Sequence, residues 1–247
     1  MTTEPGLSHR NRRVAEAARL QRVEDRKLRR LTLLEGPRLL EEAVKAGAPL
    51  IEIFALAGDL DASRWAKSAE IELVVVGEEA LRRLSSTQTP QSPVSVMQIP
   101  QRSLDPGRSL LVAWQMADPG NLGTIIRTAA AFGLDVAVTA GSVDPWGPKV
   151  LRAAAGGHFQ TGIDTIDQMS TLQAIQVATV VSGGVSPRAI PDGRVALLIG
   201  SEAHGLPEQV VSDADVRVTI PMTGQTESLN AAAAAAILAY EVSMRAK

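Results

Sequence analysis

The chain has 247 residues, 45% hydrophobic and 21% charged, with no cysteine, which excludes disulfide scaffolds, thiolate metal sites and cysteine nucleophiles. Its net charge of −2 points to no polyanion partner, but residues 1–30 hold nine basic against four acidic side chains, a local +5 on a body that carries −7. No apolar h-region opens the sequence, and the longest apolar run, Ala231–Tyr240, is too short to span a bilayer, so secreted and membrane classes are not expected.

Residues 14–30 read as a basic helix. Arg10, Arg12, Arg13, Arg26, Lys27, Arg29 and Arg30 are the candidate contacts to nucleic-acid phosphates, with a solvated tail as the alternative. The segment 33–47 puts Leu39, Leu40, Ala43 and Val44 on one helical face, and Gly47 is a plausible stop. Apolar runs at 51–57, 71–77 and 94–100 read as strands, so the first hundred residues form a small α/β sandwich. Two prolines, a glycine and three charges within 100–108 mark a linker. From 109 the pattern restarts. Strands are expected at 109–116, 134–140, 178–183, 195–201 and 216–221. Helices are expected at 121–132, 147–155, 168–176, 206–212 and 228–246. Apolar strands alternating with helices imply a parallel sheet covered on both faces, with its ligand beyond the carboxyl ends of the strands.

Three of the loops at those ends carry candidate chemistry. In ADPGNLGTIIRTAAAFG (117–133) a turn leads into a helix that Asn121 can cap, and Arg127 follows six residues on. In IGSEAHGLP (199–207), Gly200 and Gly205 permit close approach of a ligand, and Glu202 stands at a strand end. In IPMTGQTESLNAAAAAAILAYE (220–241), Thr226 or Ser228 can cap the last helix. Asn230 then falls among apolar neighbours, where a buried amide needs partners. Each loop also has a plain reading, as a capped turn or a solvated acid. There is no G-x-G-x-x-G after a strand, no phosphate-loop lysine and no G-x-S-x-G elbow. His9, His158 and His204 lack metal-ligand spacing; His158 reads as structural and His204 as incidental.

Taken together and in this order, the three loops resemble the SpoU/TrmH family of the SPOUT superfamily, RNA ribose 2′-O-methyltransferases that use S-adenosylmethionine. The stretches LLEGPRLLEEAVKAG and LSSTQTPQSPVSVM (84–97) resemble the amino-terminal substrate-binding domain of its ribosomal-RNA members. The resemblance implies a basic arm (1–30), an RNA-binding domain (31–100), a linker (101–108) and a parallel-sheet catalytic domain (109–247) ending in a trefoil knot. It implies cofactor contacts from Gly200, Ile220, Met222, Leu229 and Asn230. Its catalytic set is Arg127, Asn121, Glu202, Ser228 and Asn230. A guanidinium holds its proton too tightly to be a ready base, so phosphate clamping and oxyanion stabilisation are the expected work of Arg127. Also implied are a cytoplasmic homodimer joined through the catalytic domain, ribosomal RNA of the large subunit (23S) as substrate, and no metal. Two departures stand out: Trp114 sits at a strand end that is often acidic, and Gln91-Ser92 replaces a more usual Gln-Gly. The alternatives are the same chemistry on transfer RNA and a non-catalytic RNA-binding or ribosome-assembly factor.

Overall fold

The structure, a computed structural model, describes residues 6–101, 104–224 and 226–245. Residues 102–103 of the expected linker, and 246 at the end of the expected last helix, lie outside them. The chain divides into two compact units: 1–101 with 146–159, and 102–145 with 160–247.

The first unit opens with α1 (Arg12–Ala18), a 3₁₀ turn (Arg19–Gln21) and α2 (Val23–Arg29). Then come β1 (Leu31–Glu35), α3 (Pro37–Lys45), β2 (Leu50–Leu56), α4 (Leu60–Ser68), β3 (Glu72–Val76), α5 (Glu78–Leu84) and β4 (Val94–Gln98). The sheet order is β1-β4-β2-β3, with β4 antiparallel to both neighbours and β2 parallel to β3. Residues 12–29 are not a tail. Val14, Ala17 and Leu20 are buried with Leu33, Phe54, Val76, Leu81 and Val96 on one face of this sheet. The basic helix is two short helices, because the chain leaves the α geometry at Arg22 (ψ 137°). The expected helix 33–47 is shorter than its periodicity suggested: residues 31–35 pair with β4, and the helix starts at Pro37. Thr32 to Glu35 are all buried, so the strand shows no alternation that would separate it from a helix.

In the second unit, β5 (Leu110–Ala113) leads to α6 (Pro119–Phe132) and β6 (Asp135–Thr139). The chain then supplies α7 (Pro148–Ala154) to the first unit. There Leu151 and Phe159 pack with Leu34, Leu39 and Met97. It returns as β7 (Ile163–Ile166), β8 (Ile175–Thr179), β9 (Val195–Ile199), α8 (Glu208–Asp213), β10 (Val216–Val218) and α9 (Ala231–Ser243). Six parallel strands run in the order β10-β8-β9-β5-β6-β7. Residues 168–176, expected as a helix, hold one 3₁₀ turn (Met169–Leu172) and the start of β8. The edge strand β7 was not foreseen: it is four residues long, and its two central residues are polar and exposed. No helix among the described residues is long and apolar enough to cross a membrane.

Two features fix the sheet ends. After β8 the chain returns alongside β10. Val185 N–H donates to the Arg217 carbonyl at 2.8 Å, and Thr219 N–H to the Val185 carbonyl at 3.0 Å. A Cβ on Gly184 would lie 2.6 Å from the Val218 carbonyl carbon, so only glycine permits this approach. At the opposite end, Asp135 is 1% exposed. Its carboxylate accepts the N–H groups of Asp105 at 2.6 Å and Gly162 at 3.0 Å, with Arg108 3.7 Å away. Asp135→Ala would leave those donors unpaired, and a loss of about 3 kcal/mol is expected by chemical denaturation.

Candidate active site

The cap of α6 decides where Asn121 points. Asp118, not Asn121, is the N-cap: its carboxylate accepts the Asn121 N–H at 2.7 Å, with Pro119 in the first turn. The Asn121 side chain is thereby released from capping. The last helix corrects a second expectation. Neither Thr226 nor Ser228 caps it; Asn230 does, its Oδ1 accepting the N–H groups of Ala232 at 3.0 Å and Ala233 at 3.2 Å. Asn230 is exposed rather than buried. Its Nδ2 donates to Asn121 Oδ1 at 3.0 Å and to Glu202 Oε1 at 2.5 Å. Two acceptor oxygens on one side and two backbone donors on the other define which way this amide faces. Three loops distant in sequence thus meet at one side chain.

Glu202 reaches that position because the chain folds tightly after β9. Gly205 N–H donates to the Ser201 carbonyl at 2.8 Å, closing a turn with Glu202 near its tip. The two glycines serve the turn differently. Gly205 has a φ of +63°, and a Cβ on Gly200 would lie 2.4 Å from the Gly205 carbonyl carbon. The turn closes one side of a cavity of about 340 Å³ at the carboxyl ends of β8, β9 and β10. Gly200, Glu202, Ile220, Met222, Ser228 and Leu229 all line it. So does His204, which the sequence reading set aside, along with Thr179, Val180 and Val181 at the end of β8. These last residues carried no signal, since valines ending a parallel strand read as core. Asn121 and Asn230 stand beside the cavity through Glu202 but do not line it.

Asn230→Ser separates its two roles. A serine oxygen keeps the cap, so stability is expected to stay within about 0.5 kcal/mol, while the link to Asn121 and Glu202 is lost. Any activity of the site should then fall at unchanged melting temperature.

Arg127 does not join this cluster. It lies six residues beyond Asn121, about 9 Å further along α6. It is exposed, and its side chain makes no hydrogen bond or ion pair among the described residues. Truncation there removes no polar side-chain contact among the described residues.

The basic arm divides into used and free cations. Arg26 is a correction: it is 5% exposed and donates to the Leu20 carbonyl at 2.8 Å, so it is a structural group and not a phosphate contact. Arg13 bridges Glu52 at 2.8 Å and Glu72 at 2.7 Å. The hydrogen bond to Glu72, aided by Glu52, holds its guanidinium above its usual range. Arg12 pairs with Glu16 at 2.8 Å, and Arg29 donates to the Glu16 carbonyl at 3.1 Å. Arg10, Lys27 and Arg30 are exposed and make no such contact among the described residues.

The lining suits a ligand with a flat apolar body and a cationic end. Val180, Val181, Ile199, Val218, Ile220 and Leu229 supply apolar walls, Glu202 supplies a negative charge, and the bare glycine backbone supplies polar groups. S-adenosylmethionine, with its adenine ring and sulfonium, has that chemistry.

Comparison with known proteins gives the same picture. Residues 108–240 match the SpoU rRNA Methylase family, and residues 11–95 match an MRM3-like substrate binding domain. The 23S rRNA (guanosine(2553)-2′-O)-methyltransferase RlmP of Bacillus subtilis is 33% identical, over 95% of this chain and 97% of its own. The crystal structure of an RNA 2′-O ribose methyltransferase superposes with a TM-score of 0.79 at 30% identity, covering 97% of this chain and 98% of that one. An AdoMet-bound rRNA methyltransferase from Sinorhizobium meliloti gives 0.82 at 26%, over 95% of both chains.

Proposed function

The chain belongs to the SpoU rRNA methylase family, and from that premise we propose that it methylates a ribose 2′-hydroxyl of 23S rRNA, using S-adenosylmethionine. The observation that carries this reading is the convergence of Asn121, Glu202 and Asn230 beside a cavity of fitting shape and chemistry. The 23S rRNA named for the Bacillus relative supports the substrate, and the match of residues 11–95 supports an RNA-binding domain ahead of the catalytic one, with residues 101–108 as linker.

The bound cofactor supplies an electrophilic methyl group. The protein's own work is then mostly positioning. Gly200, Ile220, Met222 and Leu229 hold the cofactor in the cavity. Ser228 and Asn121 hold the ribose, and Asn230 ties Asn121 to Glu202. Arg127 clamps the phosphate next to the reacting ribose and stabilises charge developing on its oxygen. Its guanidinium can give a phosphate two parallel hydrogen bonds. Arg10, Lys27 and Arg30, with Arg12, Arg13 and Arg29 keeping an exposed edge, supply affinity for the RNA backbone.

Three further elements complete the proposal. The match of residues 108–240 to the SpoU family supports a trefoil knot around the cavity. The exposed Ile237 and Tyr240 of α9, with Met244 just after it, support a homodimer joined through the catalytic unit. Its site of action is the cytoplasm, with the ribosomal RNA.

The test is transfer of tritium from methyl-labelled S-adenosylmethionine to total RNA from a strain lacking the gene, followed by size separation. Label is expected in 23S RNA. Label in transfer RNA overturns the substrate, and cofactor binding without any label, on free RNA or ribosomal particles, overturns the enzyme.

A further inference from the structure

Glu35, at the end of β1, is a buried carboxylate that the methyl-transfer chemistry does not use, with a side chain 5% exposed. Nearly everything around it is a donor from one loop. The Ser85 hydroxyl donates to Oε1, and the Thr87 hydroxyl lies 2.9 Å from the same oxygen. Ser86 gives Oε2 both its hydroxyl, at 3.0 Å, and its N–H, at 3.3 Å. Arg152 of α7 neutralises the charge at 2.8 Å and donates to the Ser86 hydroxyl at 2.6 Å. Gln21 reaches the carbonyls of Arg83 and Ser85 from the other side. Burying a charge is costly, and it persists where its partners are fixed. Here those partners are the first three residues of the loop 85–93.

The inward-facing hydroxyls leave a different set outside. Gln88, Thr89 and Gln91 are exposed, and their side chains make no hydrogen bond among the described residues. The far end of the loop is pinned as well: Ser92 donates to Asp59 Oδ2 at 2.6 Å and accepts the Leu56 N–H at 3.1 Å. This gives the Ser that replaces the more usual Gly a structural task. The Gln91 side-chain oxygen lies over Gly36, where a Cβ would stand 3.4 Å away. The tip has no charge of its own, while Arg38, Arg82 and Arg83 beside it are exposed.

Uncharged amides on a loop pinned at both ends are poorly suited to phosphate and well suited to base edges, where an amide can donate and accept at once. Unpaired bases in RNA loops present such edges. The geometry points to the loop 85–91 as a base-reading element, in which Gln88 and Gln91 contact an unpaired base of the RNA and Glu35, held by Arg152, is their positioning residue. This rests on RNA being the substrate.

The experiment measures affinity of the full chain, without cofactor, for unmethylated 23S and 16S rRNA fragments at several salt concentrations. The double substitution Gln88→Ala, Gln91→Ala is expected to weaken 23S binding about 10- to 100-fold. It should bring the 23S-to-16S ratio toward one and leave the salt slope unchanged. Glu35→Gln should lower the same ratio without touching RNA. If Glu35→Gln does not fold, Ser86→Ala, which removes one anchor at the surface, should lower the ratio in the same direction. A ratio unchanged in the double variant overturns the inference, as does a salt slope that falls by about one, the mark of a lost phosphate contact. Because binding is read without methyl transfer, a wild-type chain that discriminates 23S RNA but transfers no label would defeat the proposed reaction and leave the reading loop standing.

Discussion

Arg127→Ala is expected to reduce methyl transfer about 10²- to 10³-fold while leaving the affinity for S-adenosylmethionine within about twofold. The separation follows from position. Arg127 lies on the exposed side of α6, lines no part of the cavity, and its side chain makes no hydrogen bond or ion pair among the described residues. Its removal should therefore change stability by no more than about 0.5 kcal/mol. Lysine should not restore the rate, because a point charge cannot reproduce a two-pronged grip on phosphate. Calorimetric titration of the cofactor beside single-turnover kinetics checks both halves. Loss of cofactor binding, or undiminished turnover, would remove Arg127 from its assigned role.

Gly200→Ala is expected to do the reverse and abolish cofactor binding, by more than about 100-fold. The added methyl would stand 2.4 Å from the Gly205 carbonyl carbon and 2.6 Å from the Leu206 nitrogen. Backbone, not a flexible side chain, must move, and it is the backbone that closes one side of the cavity and carries Glu202 to Asn230. Gly205→Ala provides the control. Its Cβ would meet nothing within 4 Å, so only the positive φ is penalised, by about 1 kcal/mol. Titration of S-adenosylmethionine against the two variants should show near-complete loss for the first and a modest change for the second.

The sequence made the site more legible than the unit boundaries. Glycines and isolated polar residues at the ends of apolar strands identify candidate loops, and of the residues singled out there Asn121, Glu202 and Asn230 meet at one amide while Arg127 stands apart; Ile220, Met222 and Leu229, which the family resemblance added, line one cavity with Gly200. What the sequence did not show was the division of labour at the helix starts. Asp118 and Asn121 are both capping residues three positions apart, and only the fold shows which oxygen faces the backbone. Arg26 was equally opaque, since nothing in a run of arginines distinguishes the one that turns inward. The same holds for α7, which follows β6 in sequence yet supplies Arg152 to Glu35, 117 residues away. Periodicity reports a residue's neighbours along the chain; a pairing over that distance is decided by packing.

The most direct test of the central claim is the alkali stability of the labelled product. Cleavage of RNA by alkali proceeds through the 2′-hydroxyl. If the tritiated methyl group is on the ribose oxygen, hydrolysis of the labelled 23S RNA will release the radioactivity in a dinucleotide resistant to alkali. Radioactivity recovered in a mononucleotide would place the methyl group on a base and contradict the account.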